Sequence, residues 1–249
     1  MHILRIIVDD PQPGAVNMAV DEAILQAVSD GTSSPTLRFY RWSEPTISLG
    51  YFQKYIDLEI QDEHIQNLPV VRRQTGGGAI LHDDELTYSL ILPLNSQFAS
   101  IDIEGMYQLV HDTYRSALAK LGLNVDYRGG KESGNSQRGP FFCFSRLHRL
   151  DLMLGNKKLL GSAQRRIKNA VLQHGSLILN RHFHQQTSAA VQDKLITPLN
   201  LTNLIIELTN QITTALTMKA VQGRLSEKEK EQASTLQSKY AGQPWNRQR

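Results

Sequence analysis

Two runs of β-type residues, PVVRR (69–73) and LTYSLIL (86–92), are separated only by QTGGGAILHDDE, which does not read as a helix. Strands that follow one another without a crossover helix favour a mixed or antiparallel sheet over a doubly wound parallel one. Other segments follow the same grammar. HILRIIV (2–8), LRFYRW (37–42) and TISLGYF (46–52) predict strands, the last two divided by Ser43–Glu44–Pro45. DLMLGNKKLLGSA (151–163) and AVLQHGSLIL (170–179) predict further strands, with a hairpin at Gly155–Asn156. Helices are predicted over 15–28, over the polar piece 57–66, and most clearly over 104–121. There Met106, Leu109, Val110, Thr113, Tyr114, Ala117, Leu118 and Leu121 recur at three- and four-residue steps before Gly122. From about residue 200 the chain reads as helical (LTNLIIELTNQITTAL, then SEKEKEQASTLQSKY). Strands first and helices last predict an α+β fold, a mixed or antiparallel sheet packed with helices. With no repeat and no linker, residues 1–249 read as one domain with a helical C-terminal segment.

Composition narrows the function classes. Hydrophobic residues make up 40% of the chain, enough for a core, which excludes a disordered protein. One cysteine excludes a disulfide scaffold and a cysteine-rich zinc site. No apolar run approaches the roughly 20 residues of a spanning helix, and Asp9 and Asp10 interrupt the N-terminal apolar stretch too early for a signal peptide. The expectation is a cytoplasmic protein that does not enter the membrane. The net charge is only +3, but residues 128–168 hold ten basic and two acidic residues, so this window carries +8 and the remainder −5. Such a segment suggests a docking face for something acidic, with Arg146, Arg149, Arg165 and Arg166 as its candidates; scattered solvated charges are the other reading. No aromatic interleaving or recognition helix accompanies the charge, so a nucleic-acid partner is not expected.

Three segments could carry chemistry. In Arg72–Arg73–Gln74–Thr75–Gly76–Gly77–Gly78, followed by His82–Asp83, the glycines let a phosphate or carbonyl approach backbone N–H groups, with arginine charge nearby. It is no P-loop, since GxxxxGK[ST] is missing, and a glycine-rich turn accounts for the same residues. In Gly155–Asn156–Lys157–Lys158–Leu159–Leu160–Gly161–Ser162–Ala163, alternation sends Lys158, Leu160 and Ser162 one way and Lys157, Leu159 and Gly161 the other. One lysine therefore faces the covered side of the sheet and needs an anionic or carbonyl partner there, unless both snorkel at the hairpin end. Cys143, in PFFCFS, is either a small buried hydrophobe or, given basic surroundings that lower a thiol pKa, a nucleophile. His82 and His174 are either bases or hydrogen-bonded structural groups.

Taken together these segments resemble the lipoate-protein ligase A and octanoyltransferase family, within the biotin/lipoate ligase catalytic-domain group. The resemblance runs from Asn17–Met18–Ala19 with Asp21–Glu22, through Arg72–Arg73, Gly76–Gly78 and His82–Asp83, to Lys158–Leu159–Leu160–Gly161–Ser162–Ala163. It continues through Leu172–Gln173–His174–Gly175–Ser176 to Tyr240 and Pro244–Trp245–Asn246, and covers nearly the whole chain. It implies a class II synthetase-like catalytic domain. Cys143, fifteen residues before Lys158, matches the place of the nucleophile in LipM-type octanoyltransferases. These take an octanoyl group from acyl carrier protein as a cysteine thioester. They pass it to a lysine of a lipoyl-type acceptor domain, such as the glycine-cleavage H protein or a 2-oxoacid dehydrogenase E2. The resemblance then implies Cys143 and Lys158 as catalytic residues. It implies Arg72, Gly76, Gly77, Gly78, His82, Gly161, Ser162, Ala163 and His174 as substrate-binding residues, with no metal and no cofactor. The alternative within the family is an ATP-dependent lipoate ligase, which would need ATP and Mg2+; outside it, a non-catalytic module that binds acyl groups or carrier domains.

Overall fold

The computed structural model describes residues 2–94, 96–130, 141–142, 144 and 148–249, so Cys143 and Arg146 lie outside the described residues. An eight-stranded mixed sheet forms the centre. Its strands are β1 (His2–Val8), β2 (Thr36–Tyr40), β6 (Glu85–Pro93), β7 (Asp126–Tyr127), β8 (Leu152–Leu154), β9 (Lys157–Arg166), β10 (Ala170–Ile178) and β11 (Met218–Gln222), in the order β11-β1-β2-β6-β10-β9-β8-β7. β1 runs parallel to both its neighbours, and every other pairing in this sheet is antiparallel. A three-stranded sheet of β3 (Thr46–Leu49), β4 (Val70–Arg72) and β5 (Ile80–His82), in the order β4-β3-β5, stands beside it. The expected α+β architecture with a mixed sheet is present.

Helices cover both faces of the large sheet because their apolar residues recur on one side. α4 (Ile103–Lys120) buries Met106, Val110, Tyr114, Ala117 and Leu118, and with α5 (Leu201–Ala215) closes a core against Leu86, Tyr88, Leu90, Leu159 and Leu160. The Asp102 carboxylate caps its first turn by accepting from Gly105 N, and Gly122 at φ 78° ends it. On the other face α1 (Gly14–Ser29) packs with α6 (Glu227–Ala241) over Ile7, Ile91 and Leu172. β6 and β10 run between these layers and are buried almost end to end.

The structure adds detail that the sequence pattern did not show. The polar piece 57–66 forms two short helices, α2 (Ile56–Glu59) and α3 (Glu63–Gln66), because the Asp62 side chain caps Ile65 N and starts a second helix. The helical C-terminal segment is interrupted by β11, which follows Thr217 at φ 54° and joins β1 as a parallel edge strand. After α6, the short helix α7 (Gln243–Asn246) returns to β4, where Asn246 Oδ1 accepts from Arg72 N.

Candidate active site

The site is built where the two sheets meet. Strand β6 reads Glu85-Leu-Thr-Tyr-Ser, so its polar residues Glu85, Thr87 and Ser89 share one face at the strand period of two. β10 sets His174 opposite Ser89 and Ser176 opposite Thr87, which brings a second polar row to the same face. With Met18, Trp42, Ile80, Phe144, Gly161 and Ala163 these strands enclose a narrow cleft, mostly apolar, with about 420 Å³ of empty space between its walls.

Lys158 does not itself line this cleft; it lies beside Gly161 and Phe144, which do. It is 3% exposed, and its Nζ lies 2.8 Å from Oδ2 of Asp151, itself 1% exposed. The inward lysine has the anionic partner its burial demands. Its surroundings differ from those alternation predicts. Met153 pairs with Lys158 and Leu152 with Leu160, so Leu159 is an extra residue in β9 and the strand bulges there. Past the bulge Lys158 shares a face with Gly161, while Leu159 and Leu160 both enter the core. A Cβ at Gly161 would lie 2.2 Å from Cε of Lys158 and 2.6 Å from Nζ, so the side chain occupies the space that a glycine leaves. The ammonium sits 5.3 Å from the centre of the Phe144 ring, which lines the cleft.

The two arginines before the glycines part company. Arg73 lines the cleft and gathers the glycine loop around its guanidinium, donating to the carbonyls of Ser48, Gly76 and Gly78, each at 2.7 Å. Gly77 is at φ 93°, and its carbonyl oxygen lies 2.0 Å from where a Cβ on Gly50 would stand, so two chain segments cross there without side chains. Arg72 points elsewhere. It donates to the carbonyls of Gly50, Tyr51, Gln53 and Asn246 and ties the small sheet to α7.

Both histidines are buried and held by carboxylates. His82 stacks on Trp42 with ring centres 3.7 Å apart, places Nδ1 2.7 Å from Oε1 of Glu85, and places Nε2 2.6 Å from Oγ of Ser48. Burial pushes its pKa below the usual histidine value despite the opposing pull of Glu85. The neutral ring therefore donates through Nδ1 and accepts the Ser48 hydroxyl proton at Nε2. His174 places Nδ1 3.3 Å from Oδ2 of Asp21 and Nε2 2.7 Å from Oγ1 of Thr75. Burial raises the Asp21 pKa, but hydrogen bonding from His174, the charge of Arg38 and the Ser89 hydroxyl outweigh it, and the carboxyl stays below its ordinary value.

A third polar chain runs beneath Ser162. His111 Nδ1 faces the carbonyl of Leu150 at 2.5 Å, and a carbonyl only accepts, so Nδ1 carries the proton. Nε2 then accepts from Ser162 Oγ at 2.7 Å, Ser162 accepts from the Tyr88 hydroxyl, and Tyr88 accepts from Gln173 Nε2. Burial lowers the His111 pKa to about 4, which keeps the ring neutral and the chain pointing one way.

Of the residues expected from sequence, His82, Gly161, Ser162, Ala163 and His174 line the cleft and Lys158 stands against it. Gly76, Gly77 and Gly78 wrap the arginine that lines it, and Arg72 lies away from it. Cys143 is outside the described residues; Phe142 before it bridges to Ala79, and Phe144 after it lines the cleft. Asp151, Glu85, Tyr88 and His111 were missed. The alternating polar row of β6 was the available signal for Glu85. Among the described residues of the basic window, Arg149 pairs with Glu104, Arg166 donates to the carbonyl of Ile101, and Arg165 lies over the Tyr51 ring. Among the described residues no group of three or more His, Cys, Asp or Glu is placed to hold a metal ion, and no helix is long and apolar enough to cross a membrane.

Two buried cations, Arg73 in the lining and Lys158 behind it, beside a narrow and mostly apolar cleft suit a carbonyl at the end of an alkyl chain, as an acyl-handling catalytic domain requires. Comparison makes this specific. Residues 13–228 match the model of the lipoyl protein ligase A/B catalytic domain, and the chain belongs to that family. It is 35% identical over 272 residues to octanoyltransferase LipM of Moorella thermoacetica, covering 100% of this chain and 98% of the relative. To octanoyltransferase LipM of Brevibacillus brevis it is 34% identical, with both chains covered in full. Among solved structures, lipoate-protein ligase A bound with ATP superposes with a TM-score of 0.79 at 25% identity, over 99% of each chain.

Proposed function

We propose that the protein is an octanoyltransferase that moves an octanoyl group from acyl carrier protein to a lysine of a lipoyl-type acceptor domain, through a thioester on Cys143. The observation that carries the reading is Lys158, held by Asp151 behind the wall of an apolar cleft whose Phe144 directly follows Cys143. In the first step the Cys143 thiolate attacks the thioester carbonyl; a new sulfur–carbon bond forms and the carrier's pantetheine thiol leaves. In the second, the acceptor amine attacks the acyl-enzyme, an amide forms, and the sulfur departs with the proton the amine gives up. In both, negative charge develops on the carbonyl oxygen, and the role assigned to the Lys158 ammonium in this reading is to stabilise it. The apolar walls take the alkyl chain and exclude water that would hydrolyse the thioester.

The acceptors that fit this chemistry are the glycine-cleavage H protein and 2-oxoacid dehydrogenase E2 domains, and neither step consumes ATP or needs Mg2+. The competing reading, ATP-dependent lipoate ligation, draws on the likeness to the ATP-bound ligase. It expects Arg72 to grip a phosphate, whereas backbone carbonyls occupy its guanidinium. The deciding experiment is intact-mass measurement after incubation with octanoyl-carrier protein and no ATP. One octanoyl adduct on the wild type and none on Cys143→Ser is the expected result. Acceptor modification that appears only with ATP, and persists in Cys143→Ser, overturns the thioester route in favour of ligation.

A further inference from the structure

Outside the cleft, one patch combines an exposed aromatic ring and two half-buried ones with arginines that make no ion pair. Tyr51 and Phe52 follow β3, and Tyr55 precedes α2; Phe52 is 68% exposed. Three arginines distant from one another in sequence converge there. The Arg165 guanidinium lies 5.6 Å from the centre of the Tyr51 ring, Arg249 lies 5.1 Å from Tyr51 and 5.3 Å from Phe52, and Arg247 lies 4.5 Å from Tyr55. All three are exposed. Arg5, Arg38, Arg41, Arg149 and Arg181 each sit on a carboxylate, but among the described residues Arg165, Arg247 and Arg249 pair with no Asp or Glu side chain, and the main-chain oxygen of Arg249 accepts from Tyr55 N. The acids of α2, Asp57 and Glu59, pair with none of them. Rings hold guanidinium groups by their faces and leave the N–H edges free, the edges that bind a phosphate in bidentate fashion. The charge of Arg249 reaches the buried Arg72, whose pKa is lowered by burial and then by that charge.

The patch adjoins the cleft. Tyr51 N donates to the carbonyl of Thr75, and the Thr75 hydroxyl bonds His174, which lines the cavity. The Phe52 ring reaches to 4.0 Å of the Cβ position of Gly76. Of the two macromolecules that the reaction requires, only one brings a phosphate to the rim. A carrier-bound thioester ends a pantetheine arm whose far end is a phosphodiester, whereas the acceptor domain presents a lysine, which three unpaired arginines repel.

We infer that Arg165, Arg247 and Arg249 form the docking site for the phosphodiester of the acyl donor's phosphopantetheine arm. The inference rests on the transferase reading above for its choice of donor, and its test is separable from that reading because it is read by binding. Titration calorimetry would compare wild type with the triple variant Arg165→Gln/Arg247→Gln/Arg249→Gln, using carrier protein with the arm, carrier protein without it, and a lipoyl-type acceptor domain. A thermal melt checks the fold, and Arg165→Gln alone, on a well-paired strand, serves if the triple variant is unstable. The expected result is a tenfold or greater loss of affinity for the arm-bearing carrier, which then binds no better than the armless form. Acceptor affinity and acylation by a small octanoyl thioester lacking phosphate should stay within twofold. An unchanged affinity for the arm-bearing carrier overturns the assignment. So does an equal loss for both carrier forms, which would mean the patch reads protein surface, or a loss confined to the acceptor. If wild type takes no octanoyl group from any thioester, the transferase reading fails while the binding comparison still decides the phosphate site.

Discussion

Lys157 and Lys158 are adjacent on β9 and chemically identical, yet Lys157 is exposed and Lys158 is 3% exposed beside Asp151. Strand alternation explains why only one of them points inward. It does not explain what the inward one meets. That is decided by three further features: the bulge at Leu159, the missing side chain at Gly161, and the 148–151 turn that delivers Asp151. A cation that is costly to bury is thus accommodated by local backbone irregularity and not by the regular sheet around it. Lys157, on the regular hairpin end, keeps its ammonium in water and needs none of this.

The sharpest way to break the contrast is to remove the carboxylate. Asp151→Asn takes one member from a buried ion pair, which costs about 3–5 kcal/mol of stability. Asp151 also accepts from His148 N, so the turn itself loosens. Chemical denaturation would show the loss, and a change below about 1 kcal/mol would mean that Lys158 is not balanced by Asp151. A second test addresses the turn through His111, which donates to Leu150 next to Asp151. Its folded pKa of about 4 lies below the ordinary 6.5, so the unfolded chain binds the extra proton first. This contribution to stability is present in full above pH 6.5, is lost as pH falls from there to about 4, and is flat below. The full loss is about 3 kcal/mol. His111→Gln should lower stability at neutral pH and flatten the profile across that window. A variant as steep as wild type between pH 6.5 and 4 would assign the slope to other groups.

How much of this was legible in the sequence depends on period and on contact order. The helix over 103–120 and the strands β6, β9 and β10 are read from local period alone. The cleft-lining His82, Gly161, Ser162, Ala163 and His174 stood in recognisable motifs. Arg72 and Arg73 have the same residue type and neighbouring positions; what separates them is that α7, some 170 residues later, returns to take the Arg72 guanidinium with the carbonyl of Asn246. No pattern near Arg72 encodes that return. Asp151 and His111 escaped for the same reason, since each acquires its role from a partner on another element. β11 escaped because an edge strand with one buried residue lacks an apolar alternation.

Activity should reproduce the contrast between the lysines directly. Lys158→Ala is expected to lower kcat by about a hundredfold or more, the usual cost of losing one oxyanion-stabilising group. Lys157→Ala should stay within twofold under the same assay. Comparable losses in the two variants would mean that charge near the hairpin, and not the placed ammonium, is what matters.

The smallest change tests the seat of that ammonium. Gly161→Ala adds one methyl where Cε and Nζ of Lys158 now lie at 2.2 and 2.6 Å, and the flexible lysine, not the backbone, must yield. The charge, the carboxylate and the strand pairing Ser176↔Gly161 are all retained, so the protein should fold. In the proposed mechanism the ammonium acts when charge develops on the carbonyl oxygen, so displacing it should lower kcat by about tenfold, with KM for the acyl donor little changed. Adding Lys158→Ala to Gly161→Ala should cost less than Lys158→Ala costs alone, because the two act through one group. Full additivity in that double-mutant cycle would show that Gly161 contributes by contacting the acyl chain itself, and the bulge-and-glycine account of Lys158 would have to be given up.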